Sequence, residues 1–290
     1  MQVDSMNQNT SEESVSAFLI DSLNHPKAVT IRQLLTREGR IRLNQIIIDD
    51  EENIIQAIHS GIEVLSVYYV EDRDSLSGIL KVLSNETEVV EVAKRTAKKL
   101  FSNDRLSRIF AIARRPEPLK LSDLSQINKD VVVLEDLSIS GNIGSIIRTS
   151  LGLDCGALVL LNMEPHDIYD RRLIRASRGY VFSLPVITAK TEDMIEYCRK
   201  NNEKITVSSI EGNVSVEDIS SEPGRLILVF GSEKTGTTEN IENAAELKFK
   251  IPLKSEVESL NVSVAAAITL FSRREFNRTI EPDTLYQAGK

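Results

Sequence analysis

Between about residues 25 and 115, short apolar runs alternate with helical patterns. Gln45–Ile48 predicts a strand, and Glu51–Ser60 predicts a helix with Ile54, Ile55 and Ile58 turned inward. Val64–Val70 predicts another strand, and Val92–Phe101 a helix whose outer face is basic. Together these make a small α/β unit over 25–115. Ahead of it, residues 1–24 read as an acidic helical extension with Val15, Phe18, Leu19 and Leu23 on one face. After it, Arg115-Pro-Glu-Pro118 breaks helix and ladder alike, which marks 116–130 as a linker.

From 131 to about 280 the rhythm is stricter. Val131–Leu134, Ala157–Leu161, Val181–Ile187, Ile205–Ser208, Leu226–Phe230 and Phe249–Ile251 predict strands. Helical patterns fall at Ile143–Leu151, Arg171–Ser177, Met194–Asn201, a short piece near Asn240, and Ser263–Arg274. Nearly continuous apolar strands alternating with helices predict a parallel sheet covered on both faces. In such sheets ligands bind beyond the carboxyl ends of the strands, so the loops leaving those ends hold the candidate chemistry.

Composition narrows the classes. Apolar residues make up 41% of the 290 and charged residues 27%, which suits a globular protein with a proper core. The longest apolar runs fall far short of the roughly 20 residues that a bilayer demands. The first 24 residues carry Asp4, Glu12, Glu13 and Asp21 and no Lys or Arg, the reverse of a secretory leader. Cys155 and Cys198 stand alone, and His25, His59 and His166 lack metal spacing. A reducing cytoplasm and no structural metal are the expectations.

Three loops then stand out. Ser140–Thr149 carries a Gly-Asn-x-Gly turn feeding a helix, with exposed N–H groups at its start and Arg148 one turn further in. A merely solvated arginine is the plain alternative. Phe230-Gly-Ser-Glu-Lys-Thr-Gly236 superficially resembles a P-loop, but Thr237 and Thr238 stand where the phosphate lysine and its partner belong. Glu233 is instead a carboxylate placed beside a Gly-Ser turn. Ile251–Ser263 supplies Ser259 and Asn261 just before an apolar helix, where either suits an N-cap. A fourth feature, Arg171, Arg175 and Arg178 at i, i+4 and i+7, sets an all-arginine face next to a polar loop. Arginine suits bidentate phosphate contacts, although a solvated face is the commoner reason for such a run.

In this order, Gly141-Asn-x-Gly-x-x-x-Arg148-Thr, Phe230-Gly-Ser-Glu233, and Ile251-Pro followed by Ser259-Leu-Asn-Val-Ser-Val264 closely resemble the three motifs of the SpoU (TrmH-type) RNA ribose 2′-O-methyltransferases of the SPOUT class. Arg171–Pro185 further resembles the thiostrepton/nosiheptide-resistance members, which modify an adenosine ribose in large-subunit ribosomal RNA. The likeness is strong over about 110–275 and fainter over 25–110. It implies a C-terminal parallel-sheet domain with a deep trefoil knot, an L30e-like RNA-binding domain, a homodimer, and S-adenosyl-L-methionine as cofactor.

Carried over residue by residue, the resemblance implies Arg148 as catalytic arginine, supported by Asn142, Glu233, Ser259 and Asn261. It implies a cofactor pocket from Ser208, Gly231, Ser232, Glu233, Ile251, Pro252, Leu253 and the run Leu260, Asn261, Val262, Ser263, Val264 and Ala265. Arg148, Arg171, Arg175, Arg178, Arg114, Arg115, Lys98 and Lys99 are the candidate RNA contacts. Methyl transfer to a 2′-hydroxyl is an in-line displacement needing proximity and help with a weakly acidic proton, and no metal. A free arginine, with pKa above ~12, is too basic to take that proton. It either positions phosphate and stabilises the developing alkoxide, or acts as base once bound RNA changes its surroundings. A methyltransferase of the same fold acting on transfer RNA or another ribosomal site is the alternative, and a non-catalytic RNA-binding protein is the alternative from another class.

A net charge of −8 argues against a polyanionic partner only if charge is evenly spread. It is segregated. Residues 94–120 hold nine Lys and Arg against Asp104 and Glu117, and 27–42 hold five against Glu38. The expectation is RNA contact confined to one face, with strongly salt-sensitive binding.

Overall fold

The computed structural model describes residues 19–71, 76–163, 167–232 and 235–279. The chain begins with β1 (Leu19–Ile20), α1 (Pro26–Leu34), α2 (Arg37–Leu43), β2 (Gln45–Asp49), α3 (Glu51–His59) and β3 (Val64–Tyr69). It continues with β4 (Glu88–Val92), α4 (Lys94–Leu100) and β5 (Ile109–Arg114). These strands form a mixed sheet in the order β1-β4-β3-β5-β2. Local signals set the helix starts. Pro26 opens α1 behind a His25 ring that accepts from the Lys27 N–H, and Thr36 caps α2 by accepting from the Gly39 N–H at 3.1 Å.

Three expectations change here. The helix expected over 1–24 lies outside the described residues up to 18, and Leu19–Ile20 is a strand pairing with Glu91 and Val92. Ile20 is wholly buried while Leu19 is exposed, the alternation of a sheet edge and not of a helical face. The helix expected from Val92 starts at Lys94, because Val92 closes β4 by pairing with Ile20 of β1. The proposed linker 116–130 is partly packed. It carries a 3-10 turn over Leu121–Gln126, a bridge from Leu119 to Ile187, and wholly buried Leu124.

The second unit runs β6 (Val131–Glu135), α5 (Ser140–Gly152), β7 (Ala157–Leu161), α6 (Arg171–Ala176), β8 (Val186–Ala189), α7 (Thr191–Asn201) and β9 (Lys204–Ser208). Then come β10 (Val214–Ser215), α8 (Val216–Ser220), β11 (Leu226–Phe230), α9 (Glu239–Ala244), β12 (Leu247–Lys250) and α10 (Val262–Thr279). The sheet order is β10-β12-β9-β11-β6-β7-β8, and every pairing is parallel. The strand expected over Val181–Ile187 is corrected. Tyr180–Phe182 is a 3-10 turn following Gly179 in the left-handed region, and Pro185, lacking an N–H, precedes β8.

The two units share one continuous core. Ile46, Ile48 and Ile54 of the first belong to the same buried cluster as Val132, Ile146 and Phe230 of the second. Polar contacts reinforce the join: Arg40 Nε donates to Asp167 Oδ2 at 2.8 Å and Gln56 Nε2 to Ser183 Oγ at 2.9 Å. At the far end of α10, wholly buried Arg273 grips Asp130, just before β6, through Nε (2.9 Å) and Nη2 (3.0 Å). That bond holds the last helix across the sheet.

Candidate active site

The carboxyl ends of β9, β11 and β12 open into a cavity of about 1050 Å³. Its walls come from three segments: Ser208–Glu211 after β9, Phe230–Ser232 with Thr235–Thr237 after β11, and residues between Lys250 and Leu260 after β12, with Val262 and Ala265 of α10 behind. Of the residues expected around a cofactor, Ser208, Gly231, Ser232, Ile251, Pro252, Leu253, Leu260, Val262 and Ala265 line this one space, together with Ser259 of the expected catalytic set. Asn261, Ser263 and Val264 do not. Glu233 lies outside the described residues. Thr235, Gly236, Thr237, Glu242, Ile210 and Val257 also line it and escaped the sequence reading. The polar residues flanking the two Gly positions after β11 were the available signal.

The β11 loop is folded hard back on itself. Ser232 N–H donates to Gly236 O at 3.1 Å and Gly236 N–H to Ser232 O at 2.9 Å. A Cβ on Gly231 would lie 2.1 Å from the Gly236 carbonyl carbon, so only glycine fits this approach, and Gly236 itself takes φ 67°. The third segment ends in a capped helix. Asn261 Oδ1 accepts from the Ser263 N–H at 3.0 Å and from its hydroxyl at 2.5 Å, the N-cap expected there. Asn261 Nδ2 donates to Asn142 Oδ1 at 3.3 Å, which ties the first motif to the third.

The first motif behaves differently from its sequence reading. Gly144 packs against the end of α6. A Cβ there would stand 2.5 Å from Ala176, so this glycine lets α5 and α6 approach each other closely. Arg148 is exposed on α5 outside the cavity wall, and no acidic partner lies within ion-pair reach of it among the described residues.

The arginine face on α6 requires a correction. Arg171 is buried, and its Nε and Nη2 donate to the two oxygens of Asp49 at 2.9 and 2.7 Å, with its guanidinium 4.1 Å from the Phe101 ring centre. Arg175 donates to Asp49 at 2.6 Å and to Asp104 at 2.9 and 3.1 Å. These two forks are spent joining the two units and are not phosphate contacts. Burial pushes the Asp104 carboxyl up, but the Arg105 N–H and the Arg175 and Arg171 guanidiniums outweigh it and hold the group below its ordinary 3.8. Arg115 is turned inward too, 5.2 Å from the Tyr169 ring centre and 3.7 Å from Asp167. Arg114 is exposed and pairs with Glu63, whereas Lys98, Lys99 and Arg178 are exposed. Arg178 sits at φ 52°, an uncommon backbone state for its residue type, where α6 turns at the junction of the two units.

Among the described residues no cluster of three or more His, Cys, Asp or Glu could hold a metal ion, and no helix is long and apolar enough to cross a membrane.

Residues 129–271 match the SpoU rRNA Methylase family, and residues 17–127 match the thiostrepton-resistance methylase N terminus. The chain is 35% identical over 261 residues to the 23S rRNA (adenosine(1067)-2′-O)-methyltransferase of Streptomyces azureus, covering 89% of this chain and 97% of that protein. It is 34% identical over 244 residues to the enzyme of the same name from Streptomyces laurentii, covering 84% and 90%. The fold is that of the AdoMet-bound rRNA methyltransferase from Sinorhizobium meliloti, with TM-score 0.76 at 23% identity over 90% of this chain and 98% of that one.

Proposed function

The chain belongs to the SpoU rRNA methylase family, and from that premise we propose that it methylates the 2′-hydroxyl of an adenosine in large-subunit ribosomal RNA, using S-adenosyl-L-methionine, and thereby confers resistance to thiostrepton-type antibiotics. The observation that carries the reading is the cavity at the carboxyl ends of β9, β11 and β12, bonded through Asn261 and Asn142 to the helix that presents Arg148.

The cavity fits the cofactor on its own chemistry. Ile251, Leu260, Val262 and Ala265 offer apolar contact for a purine ring, and the irregular backbone after β11 and β12 offers amides and carbonyls to its edge. S-Adenosyl-L-methionine supplies an electrophilic methyl group when bound. This chain's residues do the rest. Gly231 and Ser232 shape one wall, Pro252 and Leu253 the other, and Ser208 and Ser259 add polar groups to the lining; Asn261, Ser263, Val264 and Glu233 are proposed as further contacts. Arg148, exposed outside that wall and without an ion-pair partner among the described residues, holds the incoming phosphate and stabilises charge growing on the 2′-oxygen. Arg178, Lys98, Lys99 and Arg114 extend the RNA contact on the first unit and the junction.

We propose further that the second unit is tied in a trefoil knot, that the first unit is L30e-like, and that the protein is a cytoplasmic homodimer. In support of the knot, the chain pairs β12 outside β9 and then returns as α10 against α5, beyond β6. In support of the dimer, Val264, Ile268 and Phe271 stand exposed on one side of α10 at i, i+4 and i+7.

Arg148→Ala tests the assignment. It is expected to keep cofactor binding and to lose transfer of labelled methyl groups to ribosomal RNA fragments. Wild-type transfer by the variant would overturn the role of Arg148. Expression in a sensitive bacterium is expected to raise thiostrepton tolerance and to add one ribose methylation to large-subunit RNA. Methylation mapped to transfer RNA instead would replace the proposed substrate.

A further inference from the structure

Glu135 closes β6 and is wholly buried. Its Oε1 accepts from the hydroxyls of Thr191 (2.8 Å) and Thr238 (2.9 Å), and its Oε2 accepts from the Thr238 N–H (2.8 Å). Among the described residues no Lys or Arg lies within ion-pair distance of it, and these hydrogen bonds satisfy a buried carboxylate, a group costly to bury without them. The donors are informative by their positions. Thr191 opens the helix after β8, and Thr238 ends the loop after β11. Asn162, after β7, donates to Thr191 Oγ1 at 3.0 Å. One acid therefore draws together the carboxyl ends of four neighbouring strands.

The β11 loop is the one that matters for the cavity. Its first arm is fixed by the pairing of Phe230 with Leu134, and its interior by the Ser232–Gly236 bonds. Its second arm leaves the cavity at Thr237 and is fixed by the next residue, Thr238, on Glu135. Glu135 does not itself line the cavity. We propose that Glu135 is a positioning residue for the cofactor, setting from behind the shape of the wall formed by Gly231, Ser232 and Thr235–Thr237. This rests on the functional reading above.

The test compares wild type, Glu135→Gln, Thr238→Val and the double variant, by S-adenosyl-L-methionine titration, steady-state methyl transfer and RNA binding. Glu135→Gln keeps the size, removes the charge and replaces one acceptor by a donor. It is expected to raise Kd and KM for the cofactor about tenfold, the scale of one charge-assisted hydrogen bond. kcat at saturating cofactor and the Kd for RNA are expected to stay near wild type. Thr238→Val keeps the N–H and loses only the hydroxyl bond, so its cofactor Kd rises less, and the double variant is no worse than Glu135→Gln within error. A folded Glu135→Gln protein with wild-type cofactor affinity overturns the inference, as do additive effects or a parallel loss of RNA affinity. Failure of wild type to bind the cofactor overturns the functional reading itself, and this inference with it.

Discussion

Asp49 is the residue whose removal tests the join between the two units most sharply. It is wholly buried at the end of β2 and accepts from Arg171 at 2.9 and 2.7 Å and from Arg175 at 2.6 Å. Asp49→Ala leaves two guanidiniums behind, and their remaining partners differ. Arg175 keeps Asp104 at 2.9 Å, whereas Arg171 keeps only a 3.6 Å approach to Asp104 and the face of Phe101. Stranding a buried charge in this way costs about 3–5 kcal/mol, and Arg171 places the cost toward the upper end. Such a loss is a large fraction of the roughly 5–15 kcal/mol that holds a folded domain together, and lowers the melting temperature by roughly 6–20 °C. Because the buried cluster runs through both units, the transition is expected to remain single. Denaturant melts of Asp49→Ala, Arg171→Met and the double variant give the assay. The double variant is expected to regain part of the loss, because removing both charges leaves neither stranded. A loss below about 1 kcal/mol for Asp49→Ala, or additive effects in the double, would refute the clamp.

Three further outcomes follow. Burial first, and then Asp130, push the Cys155 thiol up to about 12, and burial pushes Cys198 to about 12, so both are expected to resist iodoacetamide at pH 8 in the native protein and to react in guanidinium, read by intact mass. The Asp104 carboxyl lies below 3.8 in the folded protein, so the stability it contributes is present above 3.8 and is lost as pH falls through the folded value; Asp104→Asn is expected to flatten the acid limb of a melting-temperature profile. Lys98→Ala with Lys99→Ala is expected to weaken RNA binding and reduce its log-log salt slope by about 1–2, whereas Arg175→Ala lowers stability and leaves the slope unchanged, both read by filter binding from 50 to 200 mM salt.

The parallel sheet was legible because β6, β7 and β11 are buried along their whole length, which writes them as apolar runs broken only by Glu135 at the end of β6. The same property misled at 181–187. Val181 and Phe182 are buried in a 3-10 turn, and periodicity over so few residues cannot separate a turn from a strand. The site was legible as three loops because each leaves a strand end, but the roles of single residues were less so. The i, i+4 spacing of Arg171 and Arg175 states that they share a face and not what that face meets, and their partner Asp49 lies 122 residues away from Arg171. Gly144 read as part of a ligand-binding turn, yet its reason is an interhelical contact that only the fold supplies. Glu135 ends an apolar strand with a charge, a visible oddity whose meaning depends on Thr191 and Thr238 arriving beside it.

The arginine clamps also change how the net charge of −8 bears on RNA binding. Arg40 with Asp167, Arg171 and Arg175 with Asp49 and Asp104, Arg225 with Glu203, and Arg273 with Asp130 are neutral or nearly neutral sets. Burying them leaves the sum untouched while withdrawing five arginines from the surface. Arginine is the cation suited to that work, since its planar fork engages two carboxylate oxygens at once and is less strongly hydrated than an ammonium. The cations left outward include Lys98, Lys99, Arg148 and Arg178, and two of these stand on or beside the helices that flank the junction and the cavity. With fewer free cations, non-specific attraction to phosphate is weaker than the run of arginines in the sequence suggests. Under the function proposed above, discrimination among RNAs is expected to rest on the fit of a folded target against both units, which requires their orientation to be fixed. Of the buried arginines, Arg40, Arg171 and Arg175 hold that orientation, because their carboxylate partners Asp167, Asp49 and Asp104 stand on the opposite unit.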